Sequence, residues 1–167
     1  MNEPGPSPAR SAPIAGRVEF QAAVRAALAE AAVTGWRELW LCDPDFAHWP
    51  LGEPGVIDSL TRWAGGVRRL KLLALHYDEV SRRHPRWVQW RRQWAHGVEC
   101  RALPDLRAED VPVLLHARGS LTLHLFDPLR YRGVVSSGAA DDLRAREQID
   151  AILQRSVEAF PATTLGL

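Results

Sequence analysis

Cysteine is scarce: Cys42 and Cys100 are the only two in 167 residues. Both sit inside apolar runs, and a lone pair is a poor disulfide framework. They are expected as buried free thiols in a reducing cytoplasm. No Cys-x-x-Cys or His-x-x-x-His spacing accompanies them, which excludes the usual zinc clusters and leaves no expected metal or cofactor. Long hydrophobic runs are missing as well. The opening MNEPGPSPARSAP holds no apolar signal core, and no run approaches the roughly 20 residues a membrane helix needs. A strong global charge is also absent. With a formal net charge of +1, no overall field recruits a polyanion.

What is present reads as an ordinary globular chain, soluble and cytoplasmic, with 46% hydrophobic and 25% charged residues. Its length suits one domain with a real core. The charge is unevenly spread. From Arg62 to Arg101 there are ten basic and three acidic residues, an excess of seven, so the remainder carries minus six.

Residues 1–13 contain four prolines with Gly and Ser and read as a disordered tail. Phe20, Val24, Ala27, Leu28 and Ala31 then recur at helical spacing, with Gly35 closing the helix. ELWLC (38–42), RLKLLALH (69–76) and VECRAL (98–103) read as buried strands. Between them lie two helices, GVIDSLTRWAGG (55–66) and a second from Pro85 to Gly97. This alternation implies parallel strands joined by right-handed crossovers. VPVLLHA and SLTLHLF flank Arg118-Gly119 as a hairpin, and GVVSS (133–137) adds a strand. Ile149, Ile152, Leu153, Val157 and Phe160 mark a closing helix.

The densest stretch, RRHPRWVQWRRQWAHG (82–97), interleaves arginine with tryptophan. At 100° per residue Trp87, Trp90 and Trp94 fall within about 60° of one another. Arg86, Gln89, Arg92 and Gln93 point elsewhere. A helix crossing a sheet must bury one stripe, and the only large apolar stripe here is tryptophan. Core packing is therefore expected over base stacking.

In open α/β sheets ligands gather beyond the carboxyl ends of the strands. The first strand delivers Asp43 and Asp45 there, and the second delivers His76, Asp78 and Glu79. Such carboxylates could hold a metal for phosphoester chemistry. Alternatively Asp43-Pro44-Asp45 makes a turn and Asp78 starts a helix, which the spacing favours. LWLCDPDFA resembles the Asp-x-Asp motif of haloacid-dehalogenase-like phosphatases. That likeness implies a nucleophile at Asp43 and a general acid/base at Asp45. Ala47 departs from that pattern, Lys71 is the only lysine, and Asp141-Asp142 follow a small-residue loop.

The order of elements resembles one half of a phospholipase D-like fold. ELWLCDPDF, RHPRWVQWRRQWAHGVECRALPDL and RGSLTLHLFDPLRYRGVV are similar to an uncharacterised bacterial domain family related to that fold. The resemblance implies one α/β domain over 14–160, between the tail and a C-terminal tail, 161–167. A mostly parallel central sheet is expected, with helices on both faces and a C-terminal β-hairpin. Active phospholipase D-like enzymes use His-x-Lys-x4-Asp. Of the six histidines, only His84 and His116 have a basic residue two places on, Arg86 and Arg118. Neither has the following aspartate. The resemblance therefore implies a pseudoenzyme.

The expectation is a non-catalytic binding module with Asp43, Asp45, His76, Asp78, His116 and Arg118 as candidate ligand residues. Its expected partner is a small anionic ligand or a protein partner, with a homodimer left open. Neither a membrane nor nucleic acid is expected. The alternatives are metal-dependent phosphoester hydrolysis at the acidic strand ends, and nucleic-acid binding through the basic segment 62–101.

Overall fold

The computed structural model describes residues 9–162. Its centre is one eight-stranded sheet with strands β1 (Ser11–Ala15), β2 (Glu38–Cys42), β3 (Arg69–Ala74), β4 (Val98–Ala102), β5 (Val113–Ala117), β6 (Leu121–Asp127), β7 (Arg132–Ser136) and β8 (Val157–Glu158). Their spatial order is β1-β7-β6-β5-β2-β3-β4-β8. The helices are α1 (Arg17–Thr34), α2 (Pro54–Trp63), α3 (Asp78–Arg83), α4 (Pro85–Gln93) and α5 (Ala139–Leu153).

The sheet is mostly antiparallel, which corrects the expected parallel one. Only β2 with β3 and β3 with β4 run parallel. The other five pairings are antiparallel. The cause is connection length. Helical crossovers allow parallel neighbours between β2 and β4, whereas the short links joining β5, β6 and β7 force reversal. At Gly133 the β6 and β7 backbones approach so closely that a side-chain carbon would collide with the His124 carbonyl.

Part of the stretch expected as a tail belongs to the sheet, because β1 pairs with β7 from Ser11 to Ala15. Ile14, 3% exposed, anchors it, and the edge position tolerates Pro13. The rest of that tail, 1–8, and residues 163–167 of the C-terminal one lie outside the described residues. The closing helix also ends earlier than its apolar spacing suggests. Ser156 Oγ donates to the Leu153 carbonyl at 2.6 Å, Val157 pairs with Ala102, and Phe160 lies outside any helix.

Helices cover both faces. Phe20, Val24 and Leu28 of α1, Leu60 of α2 and Val80 of α3 pack with Leu39, Leu41, Leu70 and Leu72 of the sheet. Ile149 and Ile152 of α5 pack on Trp40, Cys42, Leu73 and Leu114 of the other face. Within α4, Trp87 is 0% and Trp90 3% exposed. The Trp87 ring stacks near Phe160 at 6.5 Å between centroids. Arg86 and Arg92 are exposed, as expected. Arg91 is not; it is buried and donates to the carbonyls of Val98 (3.2 Å) and Phe160 (2.6 Å), pinning the C-terminal segment to β4. Both cysteines are buried and free. No helix among the described residues is long and apolar enough to cross a membrane.

Candidate functional site

The strand directions decide which candidate residues can meet. β2 and β3 run parallel, so Asp43, Asp45, His76 and Asp78 all follow the carboxyl ends of these strands. β5 runs against β2, with His116 opposite Trp40. Arg118 therefore emerges beside the start of β2, at the opposite end of the sheet. The six expected site residues form two groups rather than one.

At the first end the carboxylates are engaged locally. Asp43 Oδ2 accepts the backbone N–H groups of Asp45 (2.9 Å) and Phe46 (2.7 Å), and Asp45 Oδ1 accepts that of Ala47 (2.9 Å). This is turn chemistry, and it holds Phe46 at a φ of 60°. Burial pushes the Asp43 carboxyl up to about 6, against the lowering influence of those two amides. Asp78 opens α3 and is 94% exposed, with only His76 Nδ1 nearby at 3.8 Å. No group of three or more metal-ligating side chains is assembled among the described residues.

At the other end a buried network has formed. His116 is 1% exposed. Its Nδ1 lies 3.0 Å from Thr122 Oγ1 on the neighbouring strand. Its Nε2 faces Asp142 Oδ1 at 3.6 Å, too far for a hydrogen bond, and has no other partner. Asp142 accepts the Gly119 N–H at 2.7 Å and the Arg146 guanidinium Nε–H at 2.9 Å, tying α5 to the hairpin. Burial acts to raise the Asp142 carboxyl, but the Gly119 and Arg146 hydrogen bonds bring it below the usual aspartate range. Burial also lowers His116, keeping the imidazole neutral. Beside this network a cleft of about 270 Å³ opens, lined by Glu38, Trp40, His116, Arg118, Arg146, Glu147 and Asp150 among others.

Around the same end lies a row of arginines that the sequence scatters. Arg37 precedes β2, and its carbonyl accepts the Arg69 N–H at 2.9 Å. Arg68 lays its guanidinium against Gly35 and Gly66, while its carbonyl meets Gly97. Arg62 and Arg92 occupy the last turns of α2 and α4, which lead into β3 and β4. Arg118 completes the row from β5. All except the half-buried Arg68 are exposed.

Most arginines elsewhere are matched to carboxylates, as in Arg10–Glu30, Arg25–Glu53, Arg82 and Arg83 with Glu79, Arg101–Glu99 and Arg144–Asp141. Among the described residues Arg37, Arg68, Arg69, Arg92 and Arg118 of the row have no such partner, whereas Arg62 pairs with Asp58 at 3.5 Å; elsewhere Arg17, Arg86, Arg91, Arg132 and Arg155 are likewise without one. Sequence reasoning marked Arg118 and the basic segment, named Asp142 only as part of an acidic pair after a small-residue loop, and missed Arg37, Thr122 and Arg146. Only the i, i+4 spacing of Asp142 and Arg146 offered a local signal.

No protein-family model matches the chain, and no curated protein does. Solved structures do share its fold. TrmBL2, an archaeal chromatin protein described as showing a novel mode of DNA binding, matches with a TM-score of 0.63 and 13% identity over 90% of this chain. The chain spans about half of TrmBL2, 54% of its length. NucT from Helicobacter pylori matches with a TM-score of 0.58 and 7% identity, over 90% of this chain and 99% of that one. The likeness to NucT supports a phospholipase D-like fold. The expectation that nucleic acid is no partner is corrected by the matched structures, which include TrmBL2, a protein described as binding DNA, about half of which shares this fold.

Proposed function

We propose that this chain is a nucleic-acid-binding module of phospholipase D-like fold, which holds the phosphate backbone along its arginine rim without cleaving it. The observation that carries this reading is the rim itself: five arginines without carboxylate partners among the described residues, gathered at one end of the sheet. Guanidinium groups bind phosphate oxygens bidentately and release counterions as they do so. Arg62 and Arg92 also complement the negative ends of their helices. The discriminating residues are therefore Arg37, Arg69 and Arg118, which have no helix end to serve. Absence of the His-x-Lys-x4-Asp motif supports binding without hydrolysis. The buried free thiols suit a reducing cytoplasm, where nucleic acid is at hand.

The test is anisotropy titration of labelled DNA and RNA at several salt concentrations. The triple variant R37A/R69A/R118A should bind more weakly, and its slope of log K against log salt should flatten by about 0.7–0.9 per lost phosphate contact. Its melting temperature should stay close to that of the parent, since the three side chains are exposed. The probe should remain intact on a denaturing gel. An unchanged salt slope in the triple variant would remove the rim from the account.

A further inference from the structure

The cleft beside His116 has features that backbone binding alone does not explain. A buried imidazole nitrogen without a partner is costly, and the enclosed Nε2 of His116 is such an atom, in a residue that lines a 270 Å³ cleft. That volume falls just under the ~300–1,000 Å³ of pockets holding whole small ligands, so it suits a fragment such as one flat ring. Trp40 supplies an aromatic wall, with the Lys71 ammonium 4.7 Å from its ring centroid.

The remaining lining combines opposite charges. Glu38 is engaged by Trp40 Nε1 at 2.6 Å and by Lys71 at 3.6 Å. Arg146 gives Nε and Nη2 to Asp142. Among the described residues Arg118 has no carboxylate partner, and Glu147 and Asp150, three apart on α5, have no cationic one.

We propose that this cleft receives one unstacked guanine base of a bound single strand. Guanine presents adjacent acceptors, O6 and N7, which a guanidinium reads bidentately. It also presents adjacent donors, N1–H and N2–H, which a carboxylate can accept together. Adenine lacks paired donors on adjacent atoms, cytosine offers adjacent acceptors (N3 and O2) without such donors, and uracil has neither pair. Arg118 belongs to both the rim and the cleft, so a strand lying on the rim brings a base to the opening. Reading splayed-out bases along their edges is how single strands are commonly recognised. This inference rests on the nucleic-acid reading, and the experiment separates the two.

The intact chain is titrated with GMP, AMP, CMP and UMP, and with single-stranded oligonucleotides that differ only in having guanine or adenine at one central position. Proton–nitrogen NMR follows the His116 imidazole. GMP should bind at least about tenfold more tightly than the other three, the discrimination expected of one bidentate base contact, and should shift the His116 Nε2 resonance. E147Q/D150N, at exposed helical positions, should lose the guanine preference while keeping salt-dependent oligonucleotide binding. Equal affinity for all four nucleotides, or a preference unchanged in E147Q/D150N, would overturn the proposal. Rim-dependent oligonucleotide binding without base preference would do so while leaving the backbone reading intact. Selective GMP binding by a chain that ignores oligonucleotides would instead overturn the rim.

Discussion

Asp43 keeps its carboxyl up at about 6 even though two backbone amides donate to it, because burial outweighs them. Between about pH 4, where an unfolded aspartate has released its proton, and pH 6, the folded chain still holds that proton. Raising the pH through this window therefore costs stability, and the penalty is constant above it. The buried histidines His84 and His116 and the half-buried His124 act with the opposite sign. Burial lowers each, so stability falls as the pH drops below about 6.5. D43N isolates the aspartate, since the amide oxygen can still accept both backbone N–H groups. The melting temperature of D43N minus that of the parent should grow from pH 4 to 6 and level off above. A difference independent of pH would show that Asp43 titrates as an ordinary carboxylate. The sequence made Asp43 legible as a turn-former through the Asp-Pro-Asp spacing. The desolvation of its carboxyl was not legible, because that depends on tertiary packing around the end of β2.

The elements were read more easily than their arrangement. β2 was placed with its observed limits and α4 with its buried tryptophans, because period-2 and period-3.6 patterns are local properties. The neighbours of each strand are set by distant pairings, so the position of β5 beside β2 left no mark that the spacing could reveal. Arg91 was legible only as one more surface charge. Its burial follows from Val98 and Phe160, whose carbonyls need a donor. The tryptophan stripe supplies the element-scale prediction. Trp87→Ala should cost about 3–5 kcal/mol, as for other large core truncations, and should abolish a blue-shifted, quencher-protected component of the fluorescence. Trp94 is only half-buried, so Trp94→Ala should cost clearly less in a urea melt. Equal small losses for both would remove α4 from the core.

Across the whole molecule both ends of the sheet carry charges of both signs, and they differ in which residues they bring together. Asp43, Asp45, Asp78, Glu109 and Asp110 gather where β2 and β3 end and β5 begins. Arg37, Arg68, Arg69, Arg92 and Arg118 gather where β2 and β3 begin and β5 ends. Neither grouping is visible in a net charge of +1, since Arg37, Arg69 and Arg118 lie far apart in the chain and meet only through strand pairing. Two ways of attracting a polyanion can then be told apart. If overall charge governed binding, any two arginines would count equally. If the rim governs, position decides, because exposed charges beyond about 10 Å are largely screened at 0.1 M salt. R69A/R118A and R132A/R155A remove the same charge from opposite ends of the sheet, since Arg132 opens β7 and Arg155 follows α5. All four side chains are exposed, so both double variants should fold alike. At 0.1 M salt R69A/R118A should lose most of its affinity for a labelled single strand, and R132A/R155A should bind as the parent does. Matched losses in the two would mean that the molecule attracts nucleic acid by its total charge and has no binding end.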